Sequence, residues 1–452
     1  MRLARMICAL LVVSCLEGSN TATTIGPTST SLAPPTTAPT TEVTPTGCSA
    51  PPVPFSLLCE VADLVEEEHL SPPTVEALAE AATPVIGAFS WPEPASAPAT
   101  VRCAVPAVEF VDFCQAIETR LRNDPVPLEP LMEAVVEQML AHAVDPYSRY
   151  VPPRLANELS ENGVIAGAGV VIGARNSVGS PCVLISDACP LIVELVIAGG
   201  PAEQAGLSQG DRVITVNGDD VRDRTVSQVA SDLTVDTPAP LLTIEREGAE
   251  VNVTLAGAEE PLPVAIDLAG NTGYLRLAEF GLDAHLYVHF ALEALIEQGA
   301  ELLILDLRGN PGGYLFSVSI IGSEFLADGL LYKTFSPRED RDFPAVGGGI
   351  ATALPLFVLV DGSSASSAEI LAATLQERGR ATVVGVPTFG KNLVQDSFEL
   401  RNGGILRLTT AEWTTPNGAS VADIGLQPDV LLEIEDRLPP AELIAKVLEA
   451  VR

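Results

Sequence analysis

Residues 356–378 read LFVLVDGSSASSAEILAATLQER, and their pattern decides the fold class. Leu356–Val360 is an unbroken apolar run, the signature of a strand buried on both faces. Asp361 to Glu369 is small and polar, and Ile370 to Arg378 returns to apolar residues at helical spacing. The same strand, loop and helix recur nearby. Leu302–Leu307 is a second buried strand, followed by the loop Arg308-Gly309-Asn310-Pro311-Gly312-Gly313 and a helix expected from Tyr314. Ala381–Val386 is a third strand, running into Pro387-Thr388-Phe389-Gly390-Lys391-Asn392-Leu393-Val394-Gln395. Strands alternating with helices imply an α/β core. A tight turn between strand and helix exposes a hydroxyl where the helix supplies N–H groups and positive potential, which suits a nucleophile. Ser363, Ser364, Ser366 and Ser367 all lie in that turn, and any of them would serve equally as a helix cap.

Upstream, from Gly163 to about Gly257, short strands are punctuated by Gly and Pro. Gly199-Gly200-Pro201-Ala202-Glu203-Gln204-Ala205-Gly206-Leu207 precedes Gly210-Asp211-Arg212-Val213-Ile214-Thr215-Val216-Asn217-Gly218. This pair of segments resembles a PDZ domain, with a helix closed by Gly206, a turn at Gly210-Asp211 and an Asn-Gly hairpin. Gly167, Ala168, Gly169 and Val170 then take the place of the carboxylate-binding loop, whose exposed amides and strand edge accept a peptide C-terminus. Cys182 and Cys189 flank a short apolar strand and suit a staple.

Before this lies a repeat. Cys48, Pro51, Val53, Phe55 and Cys59 recur as Cys103, Pro106, Val108, Phe110 and Cys114, at a constant offset of 55. An amphipathic helical pattern, a Pro-marked break and a second helix follow each copy. Residues 48–155 therefore read as a duplicated helical unit. Six cysteines allow fifteen pairings; the repeat favours Cys48 with Cys59 and Cys103 with Cys114. No catalytic chemistry shows there, so the unit is expected to be a scaffold or the surface of a homo-oligomer.

The chain begins MRLARMICALLVVSC. Arg2 and Arg5 precede an apolar stretch too short to span a bilayer, the pattern of an export signal. Its end resembles a bacterial lipobox, with Cys15 as the lipidated residue and residues 1–15 as signal. Residues 16–47, rich in Thr, Pro and Ser, are expected to be a disordered tether. An exported, lipid-anchored protein of the cell envelope accounts for both, and for cysteines kept as disulfides. Among 452 residues, 59 acids against 25 bases leave a formal charge of -34. That excess argues against nucleic acid, which needs clustered Lys and Arg.

Together the turn at 361–369, the Phe389-Gly390-Lys391 motif ending in Gln395, the Leu307–Gly313 loop and Asp145-Pro146-Tyr147-Ser148-Arg149-Tyr150 resemble the C-terminal processing (tail-specific) peptidases, over roughly residues 110–435. The resemblance implies a Ser-Lys serine endopeptidase with Ser366 as nucleophile, Lys391 as general base and Gln395 orienting the pair. It implies an oxyanion hole from the amides of Gly312 or Gly313, with one beside Ser366. It also implies a ββα-superhelix (crotonase-like) catalytic core over residues 258–452, after a PDZ domain over 160–257. Substrates would be proteins or peptides with free apolar C-termini. The chain departs from the family pattern at Ser367-Ala368, at Asn392, and at Glu377, where some members carry an Asp supporting the site. None removes a reacting group.

Rival chemistries are poorly supported. His285 and His289 are four apart in an expected helix, but no Glu completes a His-Glu-x-x-His zinc motif. No P-loop or dinucleotide fingerprint occurs, so no metal or cofactor is expected. The alternative from another class is a catalytically silent peptide-binding adaptor of the envelope. A carbohydrate- or acyl-CoA-modifying enzyme on the same core lacks a phosphate cradle or paired carboxylates.

Overall fold

A computed structural model describes residues 56–89, 111–123, 126–156, 169–177, 182, 184–196, 201–233, 239–255, 264–434 and 438–452. Two helix pairs open it: α1 (Ser56–Glu68) with α2 (Val75–Ala88), then α3 (Val111–Asn123) with α4 (Leu128–Met139). In α1 the buried residues Leu57, Leu58, Val61, Ala62 and Val65 recur at helical spacing and form one face. Thr74 caps α2, its Oγ1 accepting the Ala77 amide at 3.3 Å. The helices share one core with Leu400, Leu406 and Leu408 from far along the chain, so this unit is packed onto the catalytic region rather than standing apart from it.

After α4 the Asp145–Ser148 turn leads to β1 (Arg149–Val151). A five-stranded antiparallel sheet follows in the order β2 (Val170–Ala174), β3 (Leu191–Val196), β4 (Arg212–Val216), β6 (Leu241–Arg246), β7 (Ala249–Thr254), with β5 (Asp219–Asp220) pairing β4 as a sixth strand. Asn217 and Gly218 both take positive φ, 55° and 91°, which the two-residue hairpin between β4 and β5 requires. The short α5 (Pro201–Gln204) and α6 (Val226–Asp232) complete this β domain, and Thr225 and Gln228 close a capping box on α6. Asp211, buried under the sheet, is held by both nitrogens of the Arg246 fork at 2.7 and 2.6 Å.

The catalytic region begins with β8 (Val264–Ala269), β9 (Thr272–Leu277), α7 (Ala284–Glu297), β10 (Leu302–Asp306), α8 (Leu315–Phe325), β11 (Leu330–Phe335) and β12 (Arg341–Pro344). It continues with β13 (Leu356–Val360), α9 (Ser367–Glu377), β14 (Thr382–Gly385), β15 (Leu393–Glu399), β16 (Ile405–Thr414), β17 (Val430–Leu431) and α10 (Pro440–Ala450). One sheet has the order β17-β14-β13-β10-β9-β8, parallel except for β8. Successive side chains of its central strands enter different cores. Leu303, Leu305, Val358 and Val360 pack with α7, α8 and α9, whereas Ile304 and Leu359 pack with Leu443, Ile444 and Val447 of α10. Burial on both faces is why these strands read as continuous apolar runs. A second sheet, β1-β16-β11-β12 with β15 on β16, carries the Lys391 segment at the start of β15.

The expected architecture of helical unit, PDZ-like β domain and α/β core is the one observed. One boundary moves. The helix expected from Ile370 starts at Ser367, which puts Glu369 inside its first turn and Ser366 at its N-cap. Among the described residues no helix is long and apolar enough to cross a membrane. Cys15, Cys48, Cys103, Gly167 and Ala168 lie outside the described residues, as do residues 1–15 and the expected tether.

Candidate active site

The turn between β13 and α9 separates four serines by their surroundings. Ser364 is fully buried and its hydroxyl donates to the Leu307 carbonyl at 2.8 Å. Ser367 is fully buried and donates to the Gly313 carbonyl at 2.8 Å. Ser363 tucks its amide onto Asp361 at 3.0 Å. Ser366 stands at φ 53°, ψ −116°, a region L-residues enter at a cost of roughly 1–3 kcal/mol. Such strain persists only where neighbours over-determine it, and here the neighbours are visible.

Two pieces hold the turn. The first is the loop after β10. Its base is an internal ion pair: buried Asp306 accepts from Arg308 at 2.9 and 2.7 Å and from the Tyr274 hydroxyl at 2.7 Å. Burial alone would raise the Asp306 carboxyl, but the Arg308 hydrogen bonds and charge outweigh it and hold the group below its usual value. Asn310, fully buried, donates to the Leu277 carbonyl and accepts the Gly312 amide, both at 2.9 Å, while its own carbonyl accepts the Ala365 amide at 2.9 Å. Gly312 lies so close that a Cβ there would sit 2.8 Å from the Ser366 Cβ. At Gly313, φ is 142° and a Cβ would meet the Phe280 carbonyl oxygen at 2.3 Å. Only glycine fits either position.

The second piece is Glu369, fully buried. One carboxylate oxygen accepts the amides of Ser366 and Lys391 at 2.9 and 2.8 Å. The other accepts the Gly390 amide at 2.7 Å and the Thr388 hydroxyl at 2.5 Å. One side chain thus joins the Ser366 turn to the Lys391 segment. In the sequence Glu369 is only the last residue of the polar stretch that holds the serines; that adjacency signals nothing of this role.

Lys391 enters from the other side. Its carbonyl accepts the indole N–H of the buried Trp413 at 2.9 Å, and its Nζ lies 5.3 Å from the centroid of the Tyr147 ring. Burial, reinforced by the charges of Arg149 and Arg407, lowers the Lys391 ammonium from 10.5 to about 8. Arg149 and Arg407 face each other across β1 and β16, an arrangement of like charges that is normally unfavourable. Among the described residues no hydrogen bond joins Ser366 Oγ to Lys391 Nζ. Gln395 turns its amide to Thr409 Oγ1 at 3.3 Å. Glu377 lies at the far end of α9 and accepts the Asn417 amide at 2.8 Å.

In the β domain, Gly169 has positive φ and leads into the edge strand β2, with Val170 fully buried. Arg175 just beyond β2 pairs with Glu194 of β3 at 2.5 Å. Cys182 and Cys189 form a disulfide, closing a turn in which Ser186 and Cys189 exchange backbone hydrogen bonds. Cys59 is disulfide-bonded as well, and Cys114 lies on α3. His285 and His289 lie on α7, where His289 contacts Glu324 at 2.7 Å. No group of three or more His, Cys, Asp or Glu suited to a metal occurs among the described residues.

Peptidase family S41 matches residues 271–432 and the PDZ domain matches residues 166–236. A carboxyl-terminal-processing protease of Synechocystis sp. is 32% identical over 309 residues, covering 66% of this chain and 70% of the relative. The chain belongs to the carboxyl-terminal-processing proteases of peptidase family S41. A carboxy-terminal-processing protease of Bartonella bacilliformis is 30% identical over 336 residues, covering 72% of this chain and 74% of that one. The solved photosystem II D1 C-terminal processing protease superposes with TM-score 0.58 at 25% identity, over 89% of this chain and 96% of its own. This peptidase is therefore a serine-type enzyme with an embedded PDZ domain, and its relatives come from bacteria and chloroplasts.

Proposed function

We propose that this processing protease is an exported endopeptidase that captures proteins by free apolar C-termini in its PDZ groove and cleaves them with a Ser366–Lys391 dyad. The observation carrying this is the pairing of a strained Ser366, wedged against the Gly312-Gly313 loop, with an amine lowered to about 8. A serine hydroxyl needs a base, and a lysine works as one only when its neutral form is accessible near working pH. The Lys391 lone pair takes the Oγ proton as Oγ attacks the scissile carbonyl carbon. The amides of Gly313 and Ser367 receive the resulting oxyanion; the Gly312 amide, a candidate from the sequence, is committed to Asn310 Oδ1 at 2.9 Å. Collapse transfers the proton to the leaving amine, and water then releases the acyl group by the same steps. Gln395, four residues on from Lys391 in the sequence and bonded through its amide to Thr409 Oγ1, remains the orienting candidate. Export is supported by the Cys182–Cys189 disulfide, which persists in oxidising compartments; lipidation of Cys15 would place the enzyme on the membrane surface.

The test is cleavage of an unfolded protein bearing an apolar tail, compared with the same protein with its terminal carboxylate amidated. The parent should cut the free tail preferentially, and Ser366→Ala should cut neither. Equal cleavage by Ser366→Ala overturns the assignment. Tail binding with no cleavage by the parent favours the adaptor instead.

Two further outcomes follow from the geometry. The base acts when neutral, so kcat/KM should climb as pH rises through about 8; a limb near 6.5 would indicate a histidine instead. Gly313→Ala should lose roughly 10²–10³-fold in kcat with little change in KM, because the added Cβ drives the loop off Phe280. Steady-state kinetics with the free-tail substrate checks both.

A further inference from the structure

The segment that ends the first helix reaches the active site through His69 and Leu70. His69 follows α1 directly and is 6% exposed. Its Nδ1 accepts the Ser71 amide at 3.1 Å, so its Nε2 carries the hydrogen and donates to Asp145 Oδ2 at 2.9 Å. The same Asp145 oxygen accepts the Ser148 hydroxyl at 2.5 Å, and Oδ1 accepts the amides of Tyr147 and Ser148 at 2.6 and 2.8 Å. Asp145 is thus the hub of the turn that presents Tyr147 to Lys391 and starts β1 with Arg149. Ser148 Oγ in turn accepts the Thr409 amide at 3.1 Å, and Thr409 Oγ1 is the acceptor of the Gln395 amide. The adjoining Leu70 amide donates to the Thr409 carbonyl at 2.9 Å. The set ties the end of α1 to the turn whose Tyr147 ring lies 5.3 Å from Lys391 Nζ.

We propose that His69 is a positioning residue of the peptidase centre: through Asp145 it holds the Tyr147–Arg149 segment against Lys391, so that the helical unit completes the pocket of the base. This rests on the reading of Lys391 as that base. The charged groups facing Lys391 are Arg149 from β1, Arg407 from β16, Asp145 from the turn and Glu369 from α9. Those facing Tyr147 are Arg175, Asp145, Glu369 and Asp423. Burial is the largest influence on Lys391, with Arg149 next. Releasing the turn admits water and withdraws Arg149, and both changes return the ammonium toward its ordinary, higher value.

The experiment is the pH dependence of free-tail cleavage by His69→Ala and His69→Gln beside the parent. His69→Ala should lose roughly 10- to 100-fold in kcat at pH 7.5, with KM within about twofold. Its acid limb should move up by about one pH unit, so the deficit shrinks at pH 10. His69→Gln, which restores a donor, should recover most of the loss. A deficit equal at every pH, or an unchanged limb with unchanged kcat, overturns the proposal, since a purely structural weakness would not move the limb. Should His69→Ala fail to fold, His69→Met fills the space without donating and carries the same test. Lys391→Ala separates the two readings. If it still cleaves, the base assignment fails; if it is dead while His69→Ala keeps the parent's limb, only this inference fails.

Discussion

Lys391→Met is expected to abolish cleavage and, at the same time, to make the protein more stable at neutral pH. Loss of the proposed base should cost about 10⁴-fold in kcat. The stability gain follows from the cost of holding an ammonium in this pocket. The group falls from 10.5 to about 8 on folding, which at 1.36 kcal/mol per pH unit is about 3 kcal/mol. The sign is set by proton binding. Between about 8 and 10.5 the unfolded chain holds the proton and the folded chain does not, so stability rises with pH across that window. The penalty is complete below it and absent above it. The Met variant should therefore melt several degrees higher than the parent at pH 7, and the two should converge near pH 11. Calorimetric melts at both pH values check this. A variant no more stable at pH 7 would mean that the amine is not desolvated at all.

Glu369→Gln is expected to damage the fold and the chemistry together. The carboxylate accepts from the amides of Ser366, Gly390 and Lys391 and from the Thr388 hydroxyl. Whichever oxygen becomes the amide nitrogen, at least one buried backbone N–H loses its acceptor, at about 1–3 kcal/mol each. The expected loss is about 2–4 kcal/mol of unfolding free energy, read from a urea titration. Activity should drop roughly 100-fold even where the variant is folded, because Ser366 and the Lys391 backbone are no longer tied to one group. Glu377→Gln is the control. Its carboxylate meets a single amide at the other end of α9, and it should stay close to the parent in both assays. Full activity and an unchanged midpoint for Glu369→Gln would remove Glu369 from the site.

The two glutamates show how far the sequence could be read. Glu377 drew attention because some relatives carry an Asp there, yet the structure gives it a peripheral contact. Glu369 drew none, although it is fully buried between the Ser366 turn and the Lys391 segment. Residue type and position in a helix do not reveal which partners the rest of the chain brings to a carboxylate. The Asp145–Tyr150 segment is a similar case. It stood out as a motif, but its partners, His69 on one side and Lys391 and Arg407 on the other, are separated from it by long stretches of sequence.

By itself the sequence determined the elements and their order. Apolar runs such as Leu302–Leu307 and Leu356–Val360 had to be doubly buried strands, and the Asn217-Gly218 pair had to be a hairpin. These are local constraints, set by side-chain volume, alternation and permitted φ. Only the tertiary structure decided which of four serines is strained and placed against the Gly312-Gly313 loop, which carboxylate ties it to Lys391, and how the helical unit meets the turn beside Lys391. Those outcomes depend on hydrogen bonds and desolvation between residues far apart in the chain, which exist only once strands β1, β13 and β16 and helix α9 have packed together.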